Sequence, residues 1–181
     1  MTQINTEQSA IYKFLFSNTN FAWFWLIVRL YVGWEWFNAG WAKVINPLWT
    51  GSDAGGVLTG FIQGALAKTG GAHPDVQGWY ATFLQNVVLP HANGWSVFVA
   101  YGELIVGIAL VLGILTSIAA FFGLFMNLNY LLSGTVSTNP ILLILALGLL
   151  LAWRIAGYYG LDRYLLPVIR ARWKQNKVLK S

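Results

Sequence analysis

Cysteine is absent from the 181 residues, which excludes disulfides, thiol catalysis and iron–sulfur ligation within the chain. Histidine is almost absent: there are two, His73 and His91. A haem held inside a helical bundle needs a pair of ligands in the helices, and both histidines fall in a loop-like segment. A metal centre needs more ligands than these two and the nearby Asp75 supply, so no metal site and no bound cofactor is expected. Charge is also scarce. Asp, Glu, Lys and Arg make up 9% of the chain, against about a quarter in an ordinary soluble domain. So few charges cannot cover a water-facing surface, and a lipid bilayer is the expected surrounding.

What is present agrees. The chain is 57% hydrophobic, with 10 Trp and 11 Phe, and aromatic residues concentrate at membrane interfaces. The net charge of +5 sits entirely in the C-terminal stretch. From Asp162 onward come Arg163, Arg170, Arg172, Lys174, Lys177 and Lys180 against one acid. This basic tail, 162–181, reads as a topology signal and an anionic-lipid contact rather than a nucleic-acid surface.

Hydropathy divides the chain into one membrane domain, 1–181, of all-α class. Residues 1–20 lack a signal peptide's charged-then-apolar order, so the apolar segment 22–44 is expected to be retained as a first span. The run 95–132 is too long for one crossing, since about 20 residues traverse the hydrocarbon. Gly113 to Ser117 offers the break, giving spans 95–114 and 117–132. The polar stretch 133–139 precedes a fourth span, 141–159. Four spans put both termini on one side, and the basic tail makes that side cytoplasmic. The segment 46–94 then lies outside, with two short amphipathic helices whose apolar residues recur at helical spacing. Asp53 and Asp75 are placed to cap them, and Pro90 to close the second.

Charges inside spans mark function or paired structure. Glu35 and Glu103 fall about 12–13 Å from the outer ends of their helices at a rise of about 1.5 Å per residue. They are the candidate catalytic groups, because desolvated carboxylates are suited to passing protons. Arg29 and Arg154 lie nearer the inner boundary, with structural roles equally open: Arg154 to snorkel, Arg29 to pair with Glu103. Lys43 and Tyr101 near the outer face, with Asn127 and Asn129 near mid-membrane, complete the candidate binding set. Tyr31 and Asn38 stand one turn either side of Glu35. The helix glycines, Gly33, Gly40, Gly102, Gly107 and Gly113, read as packing positions.

Several strings carry a resemblance. Arg29-x3-Gly33-x6-Gly40-x2-Lys43 looks like the opening signature of the DoxX/DoxD membrane family, and Gly102-Glu103-Leu104-x2-Val106-Gly107 resembles its second helix. Met126-Asn127-Leu128-Asn129-Tyr130 and Trp153-Arg154-x-Ala156-Gly157-Tyr158-Tyr159-Gly160-Leu161-Asp162-Arg163 are similar to the DoxD branch. The resemblance implies a four-helix prokaryotic membrane protein and the small subunit of a thiosulfate:quinone oxidoreductase, oxidising thiosulfate to tetrathionate. It also implies quinone as substrate and a DoxA-like partner, expected here as a separate chain. The residues alone leave a non-catalytic anchor for a soluble redox partner as the alternative. A small transporter would need an oligomer, and no inverted repeat supports it. Oligomeric state is left open.

Overall fold

The computed structural model describes residues 9–178, with the side chains of residue 170 and of residues 173–178 outside the description. Glu7 and Lys180 therefore lie outside the described residues. All regular structure among those residues is helical. A short helix α1 (Ala10–Ser17) leads through a tight turn into α2 (Ala22–Val44). The segment that follows carries α3 (Pro47–Thr50), α4 (Gly56–Leu66) and α5 (Gly78–Phe83). Then come α6 (Ala92–Leu112), α7 (Thr116–Leu132), α8 (Asn139–Leu151) and α9 (Asp162–Val178).

Four of these helices pack into one body. Helix α2 lies along α6, α6 meets α7, α7 lies along α8, and α8 closes back on α2. Between them sits a core that includes Trp25, Val32, Trp36, Leu110, Ala120 and Leu149. A second, smaller core gathers Leu58, Ile62, Val76, Tyr80 and Leu84 from α4, α5 and their neighbours. It rests on one end of the four helices through Leu132 and through Phe61, whose ring meets Tyr130 edge-on at 6.0 Å.

The tightest crossing is α2 on α6. A Cβ on Gly40 would stand 2.6 Å from the Cα of Leu104, and one on Gly107 would stand 2.5 Å from the Cα of Phe37. Gly33 repeats the contact one heptad earlier, against Leu110 and Val111. Small residues at this spacing let two backbones approach as larger ones cannot. The expectation that the helix glycines serve packing thus holds for Gly33, Gly40 and Gly107.

The outward faces of these four helices carry many large apolar side chains. Trp23, Ile27, Trp34 and Trp41 on α2 are exposed, as are Phe98 and Ile105 on α6, Phe121 and Phe125 on α7, and Ile141 and Ile144 on α8. By length and composition one helical run, Gly78–Leu112, is apolar and long enough to cross a membrane alone. Thr116–Leu132 and Asn139–Leu151 are apolar but shorter.

Several local expectations are corrected. The fourth helix ends at Leu151, not 159; beyond it the chain proceeds by successive tight turns from Ala152 to Gly160. Asp53 and Asp75 cap nothing: α4 starts from Gly55, at φ 94°, and α5 starts from Gln77, neither with a side-chain cap. Pro90 does not close α5. It sits in a short 3-10 turn, after a π-turn at Leu84–Val88, and the path continues into α6. A proline at the start of a turn loses no helical hydrogen bond. The basic tail is helical as α9, with Pro167 inside it.

Gly113, at φ 68°, ends α6 in the left-handed conformation that glycine adopts at little cost. Leu115 follows at φ 47°, which costs a side-chain-bearing residue energy. Asp162 offsets this from a distance. Its Oδ1 accepts from the Leu115 N–H at 2.6 Å and its Oδ2 from the Thr116 N–H at 2.8 Å, so a residue 46 positions on serves as the cap of α7.

Replacing Gly40 by Ala is expected to force α2 and α6 apart and to destabilise the protein by about 1–3 kcal/mol, the usual range for overpacking. Chemical unfolding in detergent checks this, with Gly60→Ala, which meets nothing within 4 Å, as the control that should stay close to wild type. Asp162→Ala should cost about 1–2 kcal/mol through the lost cap, read in the same experiment.

Candidate functional site

Lys43, Glu103 and Tyr130 come from three helices and meet at one point. Because Gly40 sits directly on the backbone of Glu103 and Leu104, the next residues of α2 pass close beside Glu103. Lys43, three residues on from Gly40, donates from Nζ to Glu103 Oε2 at 2.6 Å. Tyr130 of α7 donates its hydroxyl to Oε1 of the same carboxylate. The Glu103 side chain is 1% exposed and that of Lys43 20%, so the acid is sealed while the lysine beside it is only partly buried. Lys43 also lies 5.2 Å above the ring of Trp49, in a cation–π contact. Trp49 is held in turn by Ser96, whose hydroxyl donates to the Trp49 carbonyl at 2.7 Å.

A second polar cluster adjoins the first. Tyr80 of α5 donates its hydroxyl to Asn129 at 3.0 Å on Oδ1 and 3.1 Å on the carbonyl. Ser133 donates to the same carbonyl at 2.8 Å. The end of α7 therefore carries two adjacent tyrosine-centred contacts, one into the bundle through Tyr130 and one to the covering segment through Tyr80. Asn127, fully buried on the same helix, has no hydrogen-bond partner for either amide atom among the described residues; Trp36 Nε1 is likewise without one.

The other expected residues lie elsewhere. Arg29 does not pair with Glu103. Its guanidinium is buried at the opposite end of α2, donating to the carbonyls of Leu110 at 2.7 Å, Val111 at 3.3 Å and Tyr159 at 3.1 Å. It thus closes the C-terminus of α6, where cations complement the helix dipole. Arg154 is exposed beyond the end of α8, 4.9 Å over the ring of Trp153. Tyr101 is exposed on the outer face of α6. Glu35 is half-buried, Tyr31 and Asn38 are both exposed, and no hydrogen bond joins the three among the described residues. Two shallow apolar depressions, one lined by His91, Trp95 and Phe98 and the other by Trp34, Phe37 and Ile108, lie on the outer surface and not at Glu103. Among the described residues no three His, Asp or Glu side chains converge as a metal site.

Sequence reasoning missed Tyr130 as a partner of Glu103 and Tyr80 as a partner of Asn129. Tyr130 had a signal, because it falls three residues after Asn127 and so on the same face of α7. The Tyr80 contact had none.

Chemically, a sealed carboxylate between an ammonium and a phenol is a group with two exchangeable-hydrogen neighbours. The family model named DoxX matches residues 24–134, spanning all three members of the cluster. The chain belongs to the DoxX family. No curated protein and no solved structure matches the chain. DoxX proteins are membrane-associated and often linked to oxidoreductases.

Removing Lys43 while keeping Glu103 leaves a buried carboxylate without its cation, which typically costs about 3–5 kcal/mol. Lys43→Met is therefore expected to be strongly destabilised, near the low end because Lys43 is partly exposed. Adding Glu103→Gln should recover much of the loss. Unfolding of the two single variants and the double variant in detergent checks this, and additive losses would count against the pair.

Proposed function

We propose that this DoxX protein is the four-span membrane subunit of a quinone-linked oxidoreductase, with Glu103 as its proton-handling group. The observation that carries the reading is the sealed Lys43–Glu103–Tyr130 cluster. In the reaction implied by the DoxD likeness, two thiosulfates each lose one electron and join through a new S–S bond as tetrathionate. The quinone takes the two electrons and two protons and leaves as quinol. Those protons need a donor inside a region that water does not reach, and a carboxyl linked to the surface through Lys43 is suited to supply them. Thiosulfate, a dianion, would be met by Lys43 at the same end. A separate DoxA-like chain is the partner that the likeness suggests.

The apolar residues exposed on α2, α6, α7 and α8 support four crossings, since lipid is the one solvent that would cover them. Helix α8, with 13 residues, is about 20 Å long at about 1.5 Å per residue. The turns from Ala152 to Gly160 would carry the chain the remaining distance to the inner face. In this topology both termini are cytoplasmic, in a prokaryotic inner membrane, and the segment 46–91 lies outside.

A second reading has its own observation: both oxygens of Glu103 are already engaged by this chain's side chains, as a purely structural lock would require. The protein would then anchor a soluble redox partner.

The readings part on one assay. Protein in mild detergent, given thiosulfate and a soluble quinone analogue, is expected to form quinol and tetrathionate. Glu103→Gln should slow this about 100-fold or more, the usual scale for loss of a general acid or base, while remaining folded. Unchanged turnover in a folded Glu103→Gln variant would transfer the cluster to the anchor reading. Topology is read separately, because the cysteine-free chain accepts single reporters. A membrane-impermeant maleimide should label Ala72→Cys in right-side-out vesicles and leave Ala171→Cys unlabelled, and the reverse pattern would invert the orientation.

A further inference from the structure

Asn127 and Trp36 present a combination that the cluster above does not use. Asn127 is fully buried on α7 with both amide atoms unpartnered among the described residues, and the indole Nε1 of Trp36, 3% exposed, is unpartnered too. The Trp36 side chain reaches α7 at two points. Trp36 Nε1 lies 3.0 Å from where a Cβ on Gly123 would stand, and the Trp36 ring is stacked against Tyr130 with centroids 6.5 Å apart. The indole therefore spans α7 from Gly123 to Tyr130. Asn127, one turn from each, is the residue between those two contacts. A buried amide offers two donors and two lone pairs, and leaving them all unmet in a dry core is costly. Nature's usual remedy is an internal water, which needs two to four polar partners and little room.

We propose that Trp36 and Asn127 form a binding site for internal water that extends the Glu103–Tyr130 hydrogen bond inward, as a proton relay. Its ligand class is set by the donors and by size. One N–H of the indole and the amide of Asn127 satisfy a molecule that both donates and accepts, and the close Trp36–Gly123 approach favours a small one. Counting along α2, Trp36 lies seven residues inward of Lys43, about 10 Å at about 1.5 Å per residue. The path thus starts at Lys43, 20% exposed, and passes through Glu103 and Tyr130, whose ring stacks on Trp36, to the middle of the bundle. The phenol of Tyr130 both donates and accepts. A proton arriving on its oxygen from the Glu103 carboxyl is matched by release of its own hydrogen to the water beyond, so nothing is consumed in the relay. Asn127 and Trp36 are positioning residues, because they hold the water and exchange no proton themselves.

The relay role rests on the quinone-linked reading; the hydrated site does not, and the test separates them. In deuterated protein carrying 15N-labelled tryptophan, the Trp36 indole resonance is assigned by its loss in Trp36→Phe. Its N–H is expected to show a magnetisation-transfer contact to water in the wild type, and to lose it in Asn127→Leu. Quinol formation in Asn127→Leu should fall about ten-fold, with the Glu103→Gln variant as the fully impaired reference. A wild-type indole with no water contact overturns the proposal, even should Asn127→Leu fail to fold. Loss of the contact with unchanged quinol formation overturns the relay. A wild type that makes no quinol defeats the quinone-linked reading instead, and the indole contact still decides the hydrated site.

Discussion

The close crossing of α2 and α6 is the constraint from which the rest follows. Gly40 and Gly107 bring two backbones to a distance that any Cβ would block, and this brings Lys43 alongside Glu103. Were larger residues to hold the helices about 1–2 Å farther apart, within the usual spread of interaxial distances, the 2.6 Å contact between them would be weakened or lost. Glu103 would then be a buried acid beside a phenol alone. Packing and electrostatics are one problem here. The glycines carry no chemistry, yet they set the distance on which the ion pair depends.

The two ends of the four helices are built on different principles. At the end where α6 gives way to α7, Arg29 and Asp162 each bind backbone: the arginine takes the last carbonyls of α6, the aspartate the first N–H groups of α7. Their charges are spent on helix termini that would otherwise be unsatisfied, and the tight turn at Gly113 and Leu115 is held between them. At the other end the charged groups bind each other, and one of them stays accessible. Buried charge used for capping is fixed in place; the buried acid here is paired with a lysine that keeps 20% of its side chain exposed. That contrast is why function is assigned to Glu103 and not to Arg29.

Much of this was legible in the sequence. The bounds of α2, the break at Gly113, the helical character of 57–66, the packing of Gly33, Gly40 and Gly107 and the placing of the Glu103 charge inside a helix all follow from hydropathy, spacing and composition. The partner of Glu103 did not. Arg29 and Lys43 both lie on the first long helix, and choosing between them depends on how far α2 and α6 slide along each other. The glycine register fixes that slide, and hydropathy is silent on it. Asp162 as a cap for α7 was illegible for a similar reason: the cap comes from across a fold, where local pattern does not reach. The early end of α8 was hidden because Ala152, Ile155 and Ala156 are as apolar and buried as the helix before them. Hydropathy does not distinguish helix from a chain of tight turns.

The most direct test of the account is a distance measured in lipid. Protein carrying 15N at lysine side chains and 13C at glutamate carboxyls, reconstituted in bilayers, is examined by solid-state NMR for dipolar recoupling between Nζ and Cδ. The account predicts a strong nitrogen–carbon coupling that fits the 2.6 Å N···O contact and disappears in Lys43→Arg, whose side chain carries no Nζ. Absence of that coupling in the wild type, or its survival in Lys43→Arg, would contradict the claim that the α2–α6 crossing joins Lys43 to Glu103.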